Sequence, residues 1–240
     1  MTEQTSFIKG IKDGLPICFG YLSVAFAFGI FSYESSLSIL QAVLISMTNV
    51  TSAGQLAAVP IITSGGSLFE LAIAQFVINL RYALMSVSLS QKLGKTVSMA
   101  DRFIISFMNT DEVFAVSSSN RGYVGRKYMY GLILTPFLGW SVGTFLGAGA
   151  GNILPAIITS ALGIAIYAMF VAIVVPVASE NKPTFYCVII AVILSCIFKF
   201  TPVLNKLQGG FVIIICAVVA SVIMAIVSPI EIKEEGVKDE

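Results

Sequence analysis

The chain has 240 residues, 57% hydrophobic and 11% charged, with 14 lysines and arginines against 13 aspartates and glutamates and no histidine. An ordinary soluble domain carries about 25% charged residues, so this composition and a mean hydropathy of +0.93 point to an all-α, polytopic integral membrane protein in a lipid bilayer. The net charge of +1 gives no reason to invoke nucleic acid, and without histidine the usual titrating group near neutral pH, His-dependent zinc motifs and Ser-His catalysis are all excluded.

The charges are segregated: Gly14–Tyr33, Ser35–Phe69, Tyr128–Ser179 and Leu207–Ile230 contain none. A spanning helix needs about 20 apolar residues. Lys9 and Lys12 before an apolar run resemble a signal peptide, but Leu15–Phe31 runs too long and lacks a small-residue cleavage region, so it reads as a retained first span. That span covers about Leu15–Tyr33, opened by Pro16. The second, about Leu37–Ile62, is discontinuous: Thr48–Gln55 is a polar, Gly-containing interruption between two apolar half-helices. Unsatisfied backbone groups cost several kcal/mol each in lipid, so the break must be covered by protein or line a cavity.

The third span is about Ser67–Ser90 and holds Arg81. Glu70 and Lys92 lie about 16 Å of helix to either side, which puts the guanidinium near the middle of a roughly 30 Å hydrocarbon layer. A central arginine costs about 2.5 to 3.5 kcal/mol on insertion scales and normally meets a partner inside the protein or a watery cavity. After a basic loop with Lys92, Lys95 and Arg102, the stretch Phe103–Ser119 is apolar at both ends and broken by Asn109-Thr110-Asp111-Glu112. It either crosses the membrane or enters and leaves on one side. Further spans are read at about Tyr128–Ala150, Leu154–Ala178, Thr184–Phe200 and Gly209–Ser228. The sum is seven spans and one re-entrant candidate in a single transmembrane domain, residues 1–230, followed by an acidic tail, 231–240.

Basic residues cluster before the first span, at Gln91–Arg102 and at Arg121–Lys127, while the turns near Glu34, Gly65 and Gly151 have none. The positive-inside rule puts the three clusters on the cytoplasmic side. They share that side only if Ser35–Phe69 and Phe103–Ser119 are both re-entrant. Pro16…Gly20-Tyr21 also echoes Pro136…Gly139-Trp140, and Ala57-Ala58-Val59-Pro60 echoes Ile173-Val174-Val175-Pro176, at offsets near 120 residues. Either an internal repeat underlies this, as in many secondary transporters, or proline and glycine merely punctuate membrane helices.

Three constellations carry chemistry. Arg81 needs an anion, and Asp111 or Glu112 supplies one. The interruption offers free backbone groups of the kind that hold the ends of an amino acid in discontinuous-helix transporters. Asn49, Ser52, Ala53, Gly54 and Gln55 are its candidate substrate-binding residues. Asn79, about 200° round the helix from Arg81, either joins them or bonds a neighbouring helix. No catalytic nucleophile with a base, no metal-ligand cluster and no Walker-type phosphate loop is present, so neither an enzyme nor a cofactor is expected. Cys18, Cys187, Cys196 and Cys216 read as small core residues.

These motifs assemble into a resemblance. Gly14-Leu15-Pro16 with Gly20-Tyr21, Ser52-Ala53-Gly54-Gln55-Leu56-Ala57-Ala58, Asn79-Leu80-Arg81, Thr110-Asp111-Glu112, and Trp140 with Gly143-Thr144 resemble, in order, the azaleucine-resistance protein C (AzlC) family. The resemblance implies a bacterial inner-membrane permease that exports branched-chain amino acids alongside a small AzlD-type membrane subunit. Family members often have histidine after Asn-x-Arg, where this chain has Tyr82. The function expected is an ion-gradient-driven secondary transporter. The alternatives are a channel or pore-forming subunit, and a same-fold transporter of another small metabolite.

Overall fold

Serine and threonine open most of the helices. The structure, a computed structural model, describes residues 3–120, 122–151, 153–155, 157, 171, 174–176, 178–202, 204–207 and 209–228. Two compact units divide the chain, Met1–Phe170 and Val171–Glu240. The first holds β1 (Glu3–Gln4), α1 (Phe7–Glu34), α2 (Ile39–Thr48), α3 (Ser52–Thr63), α4 (Leu68–Lys92), α5 (Met99–Phe107), α6 (Asp111–Ser119), β2 (Tyr123–Val124) and α7 (Arg126–Gly151). Ser6, Ser38, Ser67, Ser98 and Thr110 each accept a hydrogen bond from a first-turn N–H, and Gln41 and Asp101 return one to complete capping boxes. Each such cap contributes about 1 kcal/mol.

The central feature is the pairing of α1 with α7. Gly10, Gly14 and Gly29 on α1 and Gly131, Gly139, Gly143 and Gly147 on α7 sit where a Cβ would collide with the partner helix. Backbones approach this closely only over small residues. Gly10 meets Gly131, Cys18 meets Gly139, Leu22 meets Gly143 and Phe26 meets Gly147, so the helices run parallel at a constant offset. The short strands before them also pair in parallel, Glu3 with Tyr123 and Gln4 with Val124. The first echo therefore falls on the closest packing in the unit, and Tyr21 stands edge-on to Trp140 with ring centroids 5.0 Å apart. The second echo includes Ile173, outside the described residues.

This parallel pair fixes the topology. Leu93 bridges Val124, and Gly94 N–H donates to the Val124 carbonyl at 2.9 Å. The end of α4 therefore lies on the face where α1 and α7 begin, the near face. Thr96 joins the clasp, donating to the Glu3 carboxylate and accepting from Arg126 N–H at 3.0 Å. Asp101 accepts from Ser98, Tyr130 (2.8 Å) and Arg126 (3.0 Å). At 1.5 Å per residue α1 and α4 are about 42 and 37 Å long, so Glu34 and Leu68 both lie on the far face. The segment between them thus enters and leaves by the far face. Its arms α2 and α3, of 10 and 12 residues, reach about 15 to 18 Å, half a bilayer. The same reasoning applies to α5 and α6, nine residues each, which enter and leave by the near face.

Two readings change accordingly. Leu37–Ile62, counted as a span in the sequence, is discontinuous, and its halves fold back rather than continue across, because α2 packs on α1 and α7 while α3 packs on α4. The first span begins at Phe7, eight residues before Leu15, because Ser6 caps it there; Pro16 lies inside the helix. All the described basic residues of the three clusters now share the near face, which the positive-inside rule assigns to the cytoplasm. Arg121 lies outside the described residues, as do most of Leu154–Ala178 and the tail 231–240.

In the second unit α8 (Lys182–Phe200) and α9 (Gly209–Val227) pack on one another, joined through a short 3-10 turn at Leu204–Lys206. Asn181 caps α8, which buries none of its residues, as suits a lipid-facing helix. By length and composition α1, α4, α7, α8 and α9 are the described helices that suit a crossing. All four cysteines are free, and of these only Cys216 is buried.

Candidate functional site

Two helical hairpins entering from opposite faces bring their tips, residues 49–51 and 108–110, to the same depth. Tyr82 and Asn79, near the middle of α4, mark that depth. The tips enclose a cavity of about 170 Å³ lined by Thr48, Asn49, Val50, Thr51, Asn79, Tyr82, Ser106, Phe107, Asn109 and Thr110. Four helix ends converge there: the C-termini of α2 and α5 and the N-termini of α3 and α6. Such ends present carbonyls and N–H groups, respectively, that have no partner within their own helix. The volume is below the roughly 300–1,000 Å³ of drug-sized pockets, so it suits a small metabolite.

The groups around the cavity differ in how far they are satisfied. Thr51, the N-cap of α3, makes no side-chain cap; its hydroxyl accepts from Tyr82 at 3.4 Å. The first N–H groups of α3 thus face the cavity end of their helix without a side-chain acceptor, carrying the positive end of the helix dipole. The far-face hairpin is pinned by Gln75, which accepts from Asn49 Nδ2 at 2.9 Å and donates to the Gly54 carbonyl at 2.8 Å. Asn79 donates to Gln75 and Asn109 to Ser86. The Oδ1 atoms of both asparagines are buried without a partner, and Asn109 is only 3% exposed. A buried acceptor left unpaired costs about 1 to 3 kcal/mol, so two residues of the cavity lining each carry an unmet acceptor, beside an uncapped helix N-terminus.

The charges lie next to this cavity. Arg81 Nη1 donates to both oxygens of Asp111 at 2.6 and 2.5 Å. Nη2 donates to the Tyr82 hydroxyl at 2.9 Å, and the guanidinium lies 4.6 Å from the Tyr82 ring centroid. Tyr82 therefore connects the ion pair to Thr51 at the opposite tip. Glu112 takes a different partner, accepting a hydrogen bond from Tyr21. The Arg81 and Asp111 side chains remain 53% and 47% exposed, so protein does not enclose them as the sequence led us to expect. At this depth lipid is the costliest neighbour for such groups, and water or further protein the natural one.

Of the residues singled out in the sequence, Asn49 and Asn79 line the cavity. Ser52, Ala53, Gly54 and Gln55 form the first turn of α3 behind Thr51, and their side chains do not line it. Gly54 packs against Gln75 and Thr51. Gln55 is fully buried, donating to Ser46 at 2.6 Å, with Thr144 at 2.6 Å from Ser46. Arg81 and Asp111 meet; Glu112 is directed to α1 instead. Sequence reasoning missed Tyr82, Thr51, Asn109 and Thr110 as cavity residues and Gln75 as the pin. Gln75 and Asn79, four residues apart on one face of an apolar helix, were the available signal.

The sequence profile of the AzlC protein family matches residues 16–154, a stretch holding both hairpins and all the cavity residues. The inner membrane protein YgaZ of Escherichia coli (strain K12) is 29% identical over 198 residues, covering 79% of this chain and 80% of that protein. An uncharacterized membrane protein of Archaeoglobus fulgidus is 32% identical over 178 residues, covering 73% and 78%. No solved structure matches.

Proposed function

The chain belongs to the AzlC family of membrane proteins, and from that premise we propose that it is a secondary transporter of small apolar amino acids, leucine, isoleucine and valine first among them. It exports them across the inner membrane, driven by an ion gradient, together with a small AzlD-type membrane subunit. The observation that carries this reading is the cavity between opposed hairpin tips, with the N-terminus of α3 beside it and Asn79 and Asn109, each with a buried unpaired acceptor, in its lining. A zwitterion fits these groups: its carboxylate complements the uncapped α3 N–H groups, and its ammonium supplies donors for the two asparagines. Val50, Phe107 and the Tyr82 ring offer apolar contact to an aliphatic side chain. Because each hairpin comes from one face, movement of either tip opens the cavity to that face alone, as alternating access requires.

The test is transport by the chain, co-reconstituted with the small AzlD-type subunit, in proteoliposomes with radiolabelled leucine. The wild type accumulates leucine against its gradient when an ion gradient is imposed. Asn79→Ala and Asn109→Ala raise the half-saturating concentration by about tenfold, the equivalent of 1.4 kcal/mol. Equilibration without accumulation would favour a channel, and wild-type behaviour in both variants would remove the cavity from the mechanism.

A further inference from the structure

Asp111 and Glu112 are adjacent at the start of α6 and differ in their partners. Asp111 is neutralised by Arg81, which reaches both its oxygens. Among the described residues Glu112 has no cation within ion-pair distance. The groups facing Glu112 are few: α1 brings Tyr21, α4 brings Tyr82 and the committed Arg81, and α6 brings Asp111. From α7 comes the uncharged Trp140, packed on the Tyr21 ring, while Arg126, Lys127, Tyr128 and Tyr130 lie at the other end of that helix. Protonating Asp111 would strand the arginine charge at mid-depth, a costly state. Protonating Glu112 exchanges a lone anion for a neutral acid and strands nothing.

A cavity open to water begins one helical turn from Glu112. One turn along α6 is Val116, followed by Ser119 and Asn120, and these residues with Lys9, Lys12, Asp13 and Pro16 of α1 line an open cavity of about 530 Å³ at the near face. It is polar at its mouth, where Lys9 pairs with Asp13 at 3.1 Å and Asp13 accepts from Tyr128 at 2.9 Å. On its other side the Tyr21–Glu112 contact adjoins Thr110, which lines the cavity between the tips. Along α6 the Tyr21–Glu112 hydrogen bond thus lies between Val116, which lines the near-face vestibule, and Thr110, which lines the candidate substrate cavity.

We propose that Glu112 is the group that takes up the coupling proton and releases it through the vestibule between α1 and α6, and that its bond to Tyr21 is the latch between vestibule and cavity. This rests on the transporter reading above. In the step itself, a hydronium ion reaching Glu112 from the far side gives a proton to a carboxylate oxygen and leaves as water. The neutral acid accepts more weakly, so the Tyr21 hydroxyl is released and α6 is free to shift from α1. Transfer of the proton to a water in the vestibule, which leaves as hydronium, restores the latch.

The experiment pairs infrared titration of the full chain in lipid with flux through the chain co-reconstituted with the small AzlD-type subunit. The wild-type spectrum holds a protonated-carboxyl stretch that appears and disappears with pH; Glu112→Gln abolishes it and Glu34→Gln, on the far face, keeps it. Tyr21→Phe removes a donor to the charged form and moves the titration to higher pH. In proteoliposomes Glu112→Gln loses proton-driven net leucine flux but keeps leucine–leucine exchange. A titrating stretch that Glu112→Gln leaves unchanged, a midpoint unmoved in Tyr21→Phe, or net flux intact in Glu112→Gln would each overturn the assignment. A wild type that titrates as described yet moves no leucine would overturn the transporter reading while leaving the proton site in place.

Discussion

Asp101 shows how one side chain ties the start of α5 to α7. Hydrogen bonds from Ser98 and Tyr130, with the Arg126 guanidinium beside it, hold its carboxyl at about 2, below the usual 3.8. Because the folded value is depressed, the stabilisation is fully present above about pH 4 and is lost as pH falls towards 2. Asp101→Asn therefore melts at a lower temperature than the wild type at neutral pH, and the gap closes as pH falls through that window. Melting curves in detergent across pH check this; a gap that stays constant would place the effect elsewhere. Arg81 is a different case. Its isolation in an apolar stretch made it legible as a residue needing an anion, but Asp111 and Glu112 were equivalent candidates until the fold set their directions. Successive residues on a helix point about 100° apart, so only one of them could face α4 while the other faced α1.

At the scale of elements, the tight contact is the α1–α7 pair, and its glycines differ in what surrounds them. A Cβ on Gly147 would strike the Phe26 backbone, whereas one on Gly149 would meet nothing within 4 Å. Gly147→Ala is therefore expected to destabilise by about 1 to 3 kcal/mol through overpacking. Gly149→Ala is expected to be neutral or to stabilise by up to about 1 kcal/mol through helix propensity. Thermal unfolding of the two variants side by side reads the difference, and equal effects would count against the parallel packing. The glycines were visible in the sequence; that they mesh with one another was not, because spacing within one helix carries no information about its partner. The hairpins are similar. Thr48–Gln55 and Asn109–Glu112 stood out as breaks, yet a break continues across or turns back according to where the neighbouring long helices place its ends.

For the whole molecule, both breaks turn back because α4 must end beside β2, at the face where α1 and α7 begin. A topology experiment tests this directly. In a background with Cys18, Cys187, Cys196 and Cys216 replaced, Glu34→Cys and Ser64→Cys are labelled by an impermeant maleimide added outside. Lys95→Cys and Ser119→Cys react only after permeabilisation. Were α2 and α3 a crossing span, Glu34→Cys and Ser64→Cys would label from opposite sides. The sequence by itself determined that the chain is helical and lives in a membrane, since a mean hydropathy of +0.93 leaves no other solvent for its side chains. It also marked the costly residues, because a charge or a broken helix in an apolar stretch is anomalous whatever surrounds it. Tertiary structure decided that the two breaks face each other across one cavity, that Arg81 takes Asp111 and leaves Glu112 to Tyr21, and that Asn109 and Tyr82 belong to the site. Those outcomes depend on contacts between segments 30 to more than 90 residues apart, set by how α1, α4 and α7 pack.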